Sequence, residues 1–155
     1  MENEKIKISD ISFPIVAFIK GNTIYFARNE EEITTCNKSS FTSGFFNNLY
    51  IVDSAGFSYE VKEARRVGTV GIFWGYNIFL NQKLKVDLIL KNKSNNPVDL
   101  NSFKEHIINS FTKDEYFWNS DGDLKERIDF LKNSTSFMQI IKNLSEDFYK
   151  KKNRK

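Results

Sequence analysis

The sequence predicts an α+β fold, an antiparallel β-sheet from N-terminal hairpins followed by about three C-terminal helices packed on it. Three observations carry that expectation. β-Branched and aromatic runs joined by tight turns fill residues 13–91. A turn-rich break, Asn92 to Asp99 with Pro97 inside it, follows. Beyond it, apolar spacing changes from every second residue to every third or fourth.

Element by element, residues 1–12 are charged and weakly patterned, a leader or an edge strand. Phe13 to Lys20 is a nearly continuous apolar run, which suits a strand covered on both faces. Gly21-Asn22 allows a reversal into Thr23–Ala27, so the two runs read as a hairpin. A polar connection runs from Glu30 to Ser43, and Phe41, Phe45 and Phe46 suggest a short helical turn around its end. Leu49–Asp53, the turn Ser-Ala-Gly and Phe57–Glu63 form a second hairpin. Asp53 opens that turn, where a carboxylate can accept from local amides. Residues 65–76 are punctuated by Gly68, Gly71 and Gly75, which predicts a bulged strand or loop. Lys83–Lys91 alternates cleanly through Leu84, Val86, Leu88 and Leu90, a half-buried strand.

Three helical stripes follow. Leu100, Phe103, Ile107 and Phe111 form the first, with Ser102 and Glu105 spaced as a capping box. Leu124, Ile128 and Leu131 form the second, preceded by Asp121-Gly-Asp123. Phe137, Ile140, Ile141, Leu144 and Phe148 form the third, with Ser136 and Gln139 placed to cap it. The 155 residues are expected to make one domain: β-rich over 13–91, helical over 99–149, and a basic tail over 150–155.

Composition narrows the function classes. The formal charge is +3, but five of the 23 basic residues stand in the last six positions. Residues 99–149 carry six basic against ten acidic residues. That balance argues against a nucleic-acid partner, since a reader of nucleic acid shows a basic stripe on its folded body. The longest apolar run is far short of a membrane span, and the N-terminus lacks a signal-peptide core; the expectation is a cytoplasmic protein with no membrane partner.

Chemistry-bearing residues are few. Gly68-Thr-Val-Gly-Ile-Phe-Trp-Gly does not follow the spacing of a phosphate-binding loop. One histidine and one cysteine leave Cys36–His106 as the sole nucleophile–base pair to weigh, and no local motif supports it. Asp121 and Asp123 echo the opening of a calcium loop, but Lys125 and Arg127 occupy later ligand positions. No metal, cofactor or enzymatic activity is expected.

The run Phe13-Pro-Ile-Val-Ala-Phe-Ile-Lys-Gly, the Leu49-Tyr-Ile-Val-Asp-Ser-Ala-Gly hairpin and the sheet-then-helices order resemble small cytoplasmic immunity proteins of bacterial toxin systems, including contact-dependent growth-inhibition systems. The resemblance extends over most of the chain as a style of organisation and includes no diagnostic motif. It implies a non-enzymatic protein that binds one cognate toxin domain and occludes it. One departure stands out: immunity proteins facing nucleases are often strongly acidic, whereas here only the helical half is. The expected contact surface is Glu30, Glu31 and Glu32, the aromatic Trp74 and Tyr76, and Asp114, Glu115, Asp121 and Asp123. The alternative is a small α+β enzyme or ligand-binding domain that uses the aromatic glycine segment as a pocket wall.

Overall fold

A computed structural model describes residues 5–20, 23–70 and 83–154. The strands are β1 (Ile6–Lys7), β2 (Ile15–Ile19), β3 (Thr23–Ala27), β4 (Thr35–Asn37), β5 (Tyr50–Asp53), β6 (Ser58–Thr69) and β7 (Lys83–Asn92). The helices are α1 (Glu30–Thr34), α2 (Lys38–Thr42), α3 (Leu100–Lys113), α4 (Glu115–Trp118), α5 (Leu124–Asn133) and α6 (Phe137–Lys152). All pairings are antiparallel, in the order β1-β7-β6-β5-β2-β3, with β4 sharing the outer edge of β7 with β1.

The expected α+β fold is therefore the observed one. β2 is sealed on both sides, as its unbroken apolar run requires: Ile15 and Ala17 face one core, Val16 and Phe18 the other. The peptide bond Phe13–Pro14 before it is cis. Ile51, Val61, Val86, Leu88 and Leu90 join Ile15 and Ala17 on the inner face, closed by Ile8, Ile33, Phe46 and Leu49. On the outer face α3, α4, α5 and α6 bury Phe103, Ile107, Phe111, Trp118, Leu131 and Ile141 against β2, β3 and β5.

The sheet must curl. Laid flat, β3 and β7 would stand four strand spacings apart, about 19 Å. Yet the single short helix α1 touches both, and the chain passes from β3 through it directly into β4 on the β7 edge. α1 thus bridges the seam between the two sheet edges.

Four local expectations are corrected. The 30–43 connection is not irregular: it contains α1, β4 and α2, which Asn29 and Asn37 begin by accepting from the Glu32 and Ser40 amides. The second strand of the later hairpin does not stop at Glu63 but continues to Thr69, shifting register between Val61 and Glu63 and again between Arg66 and Gly68. The N-cap of α3 is Asp99, whose carboxylate accepts from the Ser102 amide at 2.8 Å, so Ser102 lies inside the first turn. Residues 150–152 are not a separate tail: α6 runs to Lys152, and Lys151 is buried. Of residues 1–12, Ile6–Lys7 form the edge strand.

Candidate functional site

The seam opens into a cleft of about 550 Å³. Tyr25 of β3, Tyr149 of α6, Phe45, Cys36 and Asn37 line it, with the Tyr25 and Phe45 rings edge to face. Tyr149 donates to the Phe26 carbonyl at 2.9 Å, and Tyr25 to the Glu32 carbonyl at 3.1 Å. The two hydroxyls lie 3.5 Å apart. Burial raises both phenol pKa values, and for Tyr149 the Tyr25 hydroxyl adds to that. Neither ring is poised to ionise near neutral pH.

Cations gather on these rings. The Arg28 guanidinium sits 4.0 Å from the Tyr149 centroid, and Lys152 Nζ lies 5.5 Å from Tyr25 and 5.8 Å from Tyr149. Arg28 also clamps Glu32, donating its amide at 2.7 Å and its Nε at 2.7 Å, with Nη2 in closer contact. Burial opposes ionisation of Glu32, but the Arg28 hydrogen bonds outweigh it and hold the carboxyl below its ordinary range.

Cys36 and His106 do not meet. Cys36 packs with the inner core, whereas the His106 ring stacks on Phe18 of the outer core at a centroid distance of 4.2 Å. The sheet separates them. Burial pushes the Cys36 thiol up, which disfavours the nucleophilic thiolate. Burial, then the nearby Lys113 charge, lowers the His106 pKa, so the ring is neutral at physiological pH.

The residues proposed from sequence as a contact surface are scattered. Glu31 and Glu32 line the cleft, but Glu32 is committed to Arg28. Trp74 and Tyr76 lie outside the described residues. Asp114 sits between α3 and α4, and Glu115 opens α4. Between that pair and Trp118 the side chain of Tyr116 is 88% exposed, while Trp118 is buried among Phe26, Phe111 and Phe148. Sequence reading passed over Tyr116, because Tyr116-Phe-Trp118 is a continuous aromatic run with no period to say which ring faces out.

Asp121 is tied to its neighbours by its side chain. Its two oxygens accept from Arg127 at 2.8 and 2.6 Å, and Lys151 Nζ lies 2.7 Å from it. Arg127 also pairs with Asp147 and donates to the Trp118 carbonyl at 2.8 Å, and Lys151 donates to Ser120 at 3.0 Å. The Arg127 hydrogen bonds, joined by that of Lys151, hold Asp121 well below the usual carboxylate range. Its geometry is that of a tie between α4, α5 and α6. Asp123 begins α5 without a side-chain capping bond.

Among the described residues no three His, Cys, Asp or Glu side chains cluster as metal ligands, and no helix is long and apolar enough to cross a membrane. Compared with protein-family models, curated proteins and solved structures, the chain matches none.

Proposed function

We propose that this chain is a non-enzymatic protein-binding module, an immunity protein that neutralises a cognate bacterial toxin domain by occluding it. The observation that carries the reading is Tyr116. An aromatic ring 88% exposed stands next to Asp114 and Glu115 and is held by a helix whose Trp118 is locked in the core. Such a ring loses little conformational freedom when a partner covers it, which is why tyrosine is enriched among interface anchors. The neighbouring carboxylates would steer a basic toxin face toward it.

The test uses a toxin domain encoded beside this chain, titrated against the purified full-length protein. Tyr116→Ala should raise the dissociation constant about tenfold or more. Its melting temperature should stay unchanged, since an exposed side chain contributes little to stability. Reversing Asp114, Glu115 and Asp123 together should slow association, more at low salt than at high. No complex with the toxin and no protection of cells expressing it would overturn the proposal.

The cleft supports a second reading, a ligand-binding domain, because it is of small-molecule size and walled by aromatic rings. The sole thiol reports on it: a ligand seated there should slow alkylation of Cys36.

A further inference from the structure

Among the described residues, the helices do not cover the part of the outer sheet face that β6 and β7 form. Their core takes residues from β2, β3 and β5, and none from β6 or β7. β7 is regular, so Leu84, Val86, Leu88 and Leu90 point inward while Lys83, Lys85, Asp87 and Lys91 stand exposed on the outer side. Register adds neighbours to this face: Lys7 opposite Ile89, Glu60 opposite Lys91, Glu63 opposite Ile89 and Arg65 opposite Asp87. Lys5 and Lys62 lie close enough to Glu63 to act on its charge, and Lys93 pairs with Glu60.

The fold has sorted the charges. Residues 1–98 carry twelve basic and ten acidic side chains, nearly balanced in sequence. Among the described residues eight of the basic ones (Lys5, Lys7, Lys62, Arg65, Lys83, which also lines the cleft, Lys85, Lys91 and Lys93) occupy this face, with Glu60, Glu63 and Asp87 against them. Two of those three acids are already paired, Glu60 with Lys93 and Glu63 with Arg65. Among the described residues Lys5, Lys7, Lys62, Lys83, Lys85 and Lys91 form no salt bridge.

We infer that this face is a docking surface for the phosphate backbone of a nucleic acid, bound without sequence preference. Charge counted along the chain shows no basic stripe, because the stripe is assembled only when β1, β6 and β7 pair. The composition favours phosphate over a protein partner. Lysine is depleted at protein interfaces, and the apolar side chains here are few: Ile89 of β7 and the exposed Val67 at the second register shift of β6. Ammonium groups on an open surface act as point charges toward phosphate oxygens. Among the described residues β6 and β7 direct no aromatic ring outward on which a base would stack, so the contacts they offer are to phosphate. This inference is independent of the toxin-binding proposal, which concerns the helical side.

The test is fluorescence anisotropy of the full chain with a labelled single-stranded oligonucleotide of mixed sequence, and with poly-L-glutamate as the protein-like polyanion. Engagement of four phosphates on a single strand predicts that affinity falls about 50-fold from about 50 mM to about 200 mM salt. Lys85→Glu with Lys91→Glu should weaken binding about tenfold or more at the lower salt and flatten the salt slope. Both positions are exposed on a regular strand, and an unchanged circular dichroism melt confirms that the variant is folded. The milder Lys85→Gln with Lys91→Gln serves if it is not. Reversal of Lys125 and Lys142 in the helical half should leave binding unchanged. Equal or tighter binding of poly-L-glutamate, affinity indifferent to salt, or folded variants that bind like the parent would each overturn the inference.

Discussion

Gly56 shows how one backbone position joins the two halves of the chain. It stands in the β5–β6 turn at φ +88°, a region that side chains rarely adopt. A Cβ built there would lie 2.6 Å from the Phe137 ring at the start of α6. Gly122 has a similar φ of +83° but open space around it. The pair therefore separates strain from clash. Gly122→Ala should cost about 1 kcal/mol in urea unfolding, and Gly56→Ala about 2 kcal/mol or more, because Phe137 must also move. Equal losses would mean that the ring yields freely. Asp53 in the same turn is buried, and its carboxylate accepts from the Ala55, Phe57 and Ser12 amides and the Tyr59 hydroxyl. Burial, reinforced by that carboxylate, pushes the Tyr59 phenol up to about 12. The local turn role read from sequence is thus real, but the same side chain also fastens the segment before β2, a contact 41 residues away that local pattern does not encode.

At the level of elements, α6 is held at both ends. Ser136 caps its start by accepting from the Gln139 amide at 3.2 Å, as the Ser-x-x-Gln spacing predicts. Its C-terminal turn carries Lys151, whose ammonium is buried against Asp121 and Ser120, and Lys152, which lies over the cleft tyrosines. Deleting residues 150–155 should therefore lower stability by roughly 2–3 kcal/mol, below the 3–5 of a fully buried pair, because Asp121 keeps Arg127 as a partner and some solvent contact. Deleting only residues 153–155 should cost less than about 0.5 kcal/mol, as is usual for an exposed end. Chemical denaturation of both truncations checks this, and a six-residue deletion as stable as the parent would refute the role given to Lys151.

Across the whole molecule, charge is sorted by the fold. The outer face of β6 and β7 is basic, residues 99–149 are acidic until the last turn of α6 nearly balances them with Lys150, Lys151 and Lys152, and one network ties α4, α5 and α6 together. The pH dependence of global stability follows from Asp121. Its carboxyl is held well below the unfolded value of about 4, so the unfolded chain takes up the proton first. The contribution of Asp121 is complete above that unfolded pKa and is lost as pH falls through the range below it. Urea midpoints should therefore drop between about pH 5 and about pH 2.5 more steeply in the parent than in Asp121→Asn, which has no such proton to gain. Identical slopes would show that other carboxylates dominate acid unfolding.

The sequence alone determined the order of the fold. Alternation in Lys83–Lys91, the continuous run at Ile15–Ile19 and the three helical stripes are local patterns with fixed periods, and burial follows them directly. It also determined that catalysis by a Cys–His pair had no motif behind it. What it left open depends on which distant segments touch. β4 is three residues of Thr-Cys-Asn, too short for a period, and is a strand only because β7 offers an unpaired edge. Asp121 looked like a surface acid beside a helix start until α6 returned Lys151 to it. Tyr116 and Trp118 are two aromatic residues of one short run, and only core space at Phe111 and Phe148 decides which ring is covered. The cleft exists because the sheet curls until β3 and β7 approach across α1. The basic face exists because strands distant in sequence become neighbours in register, and electrostatics follows that spatial order and not the order of the chain.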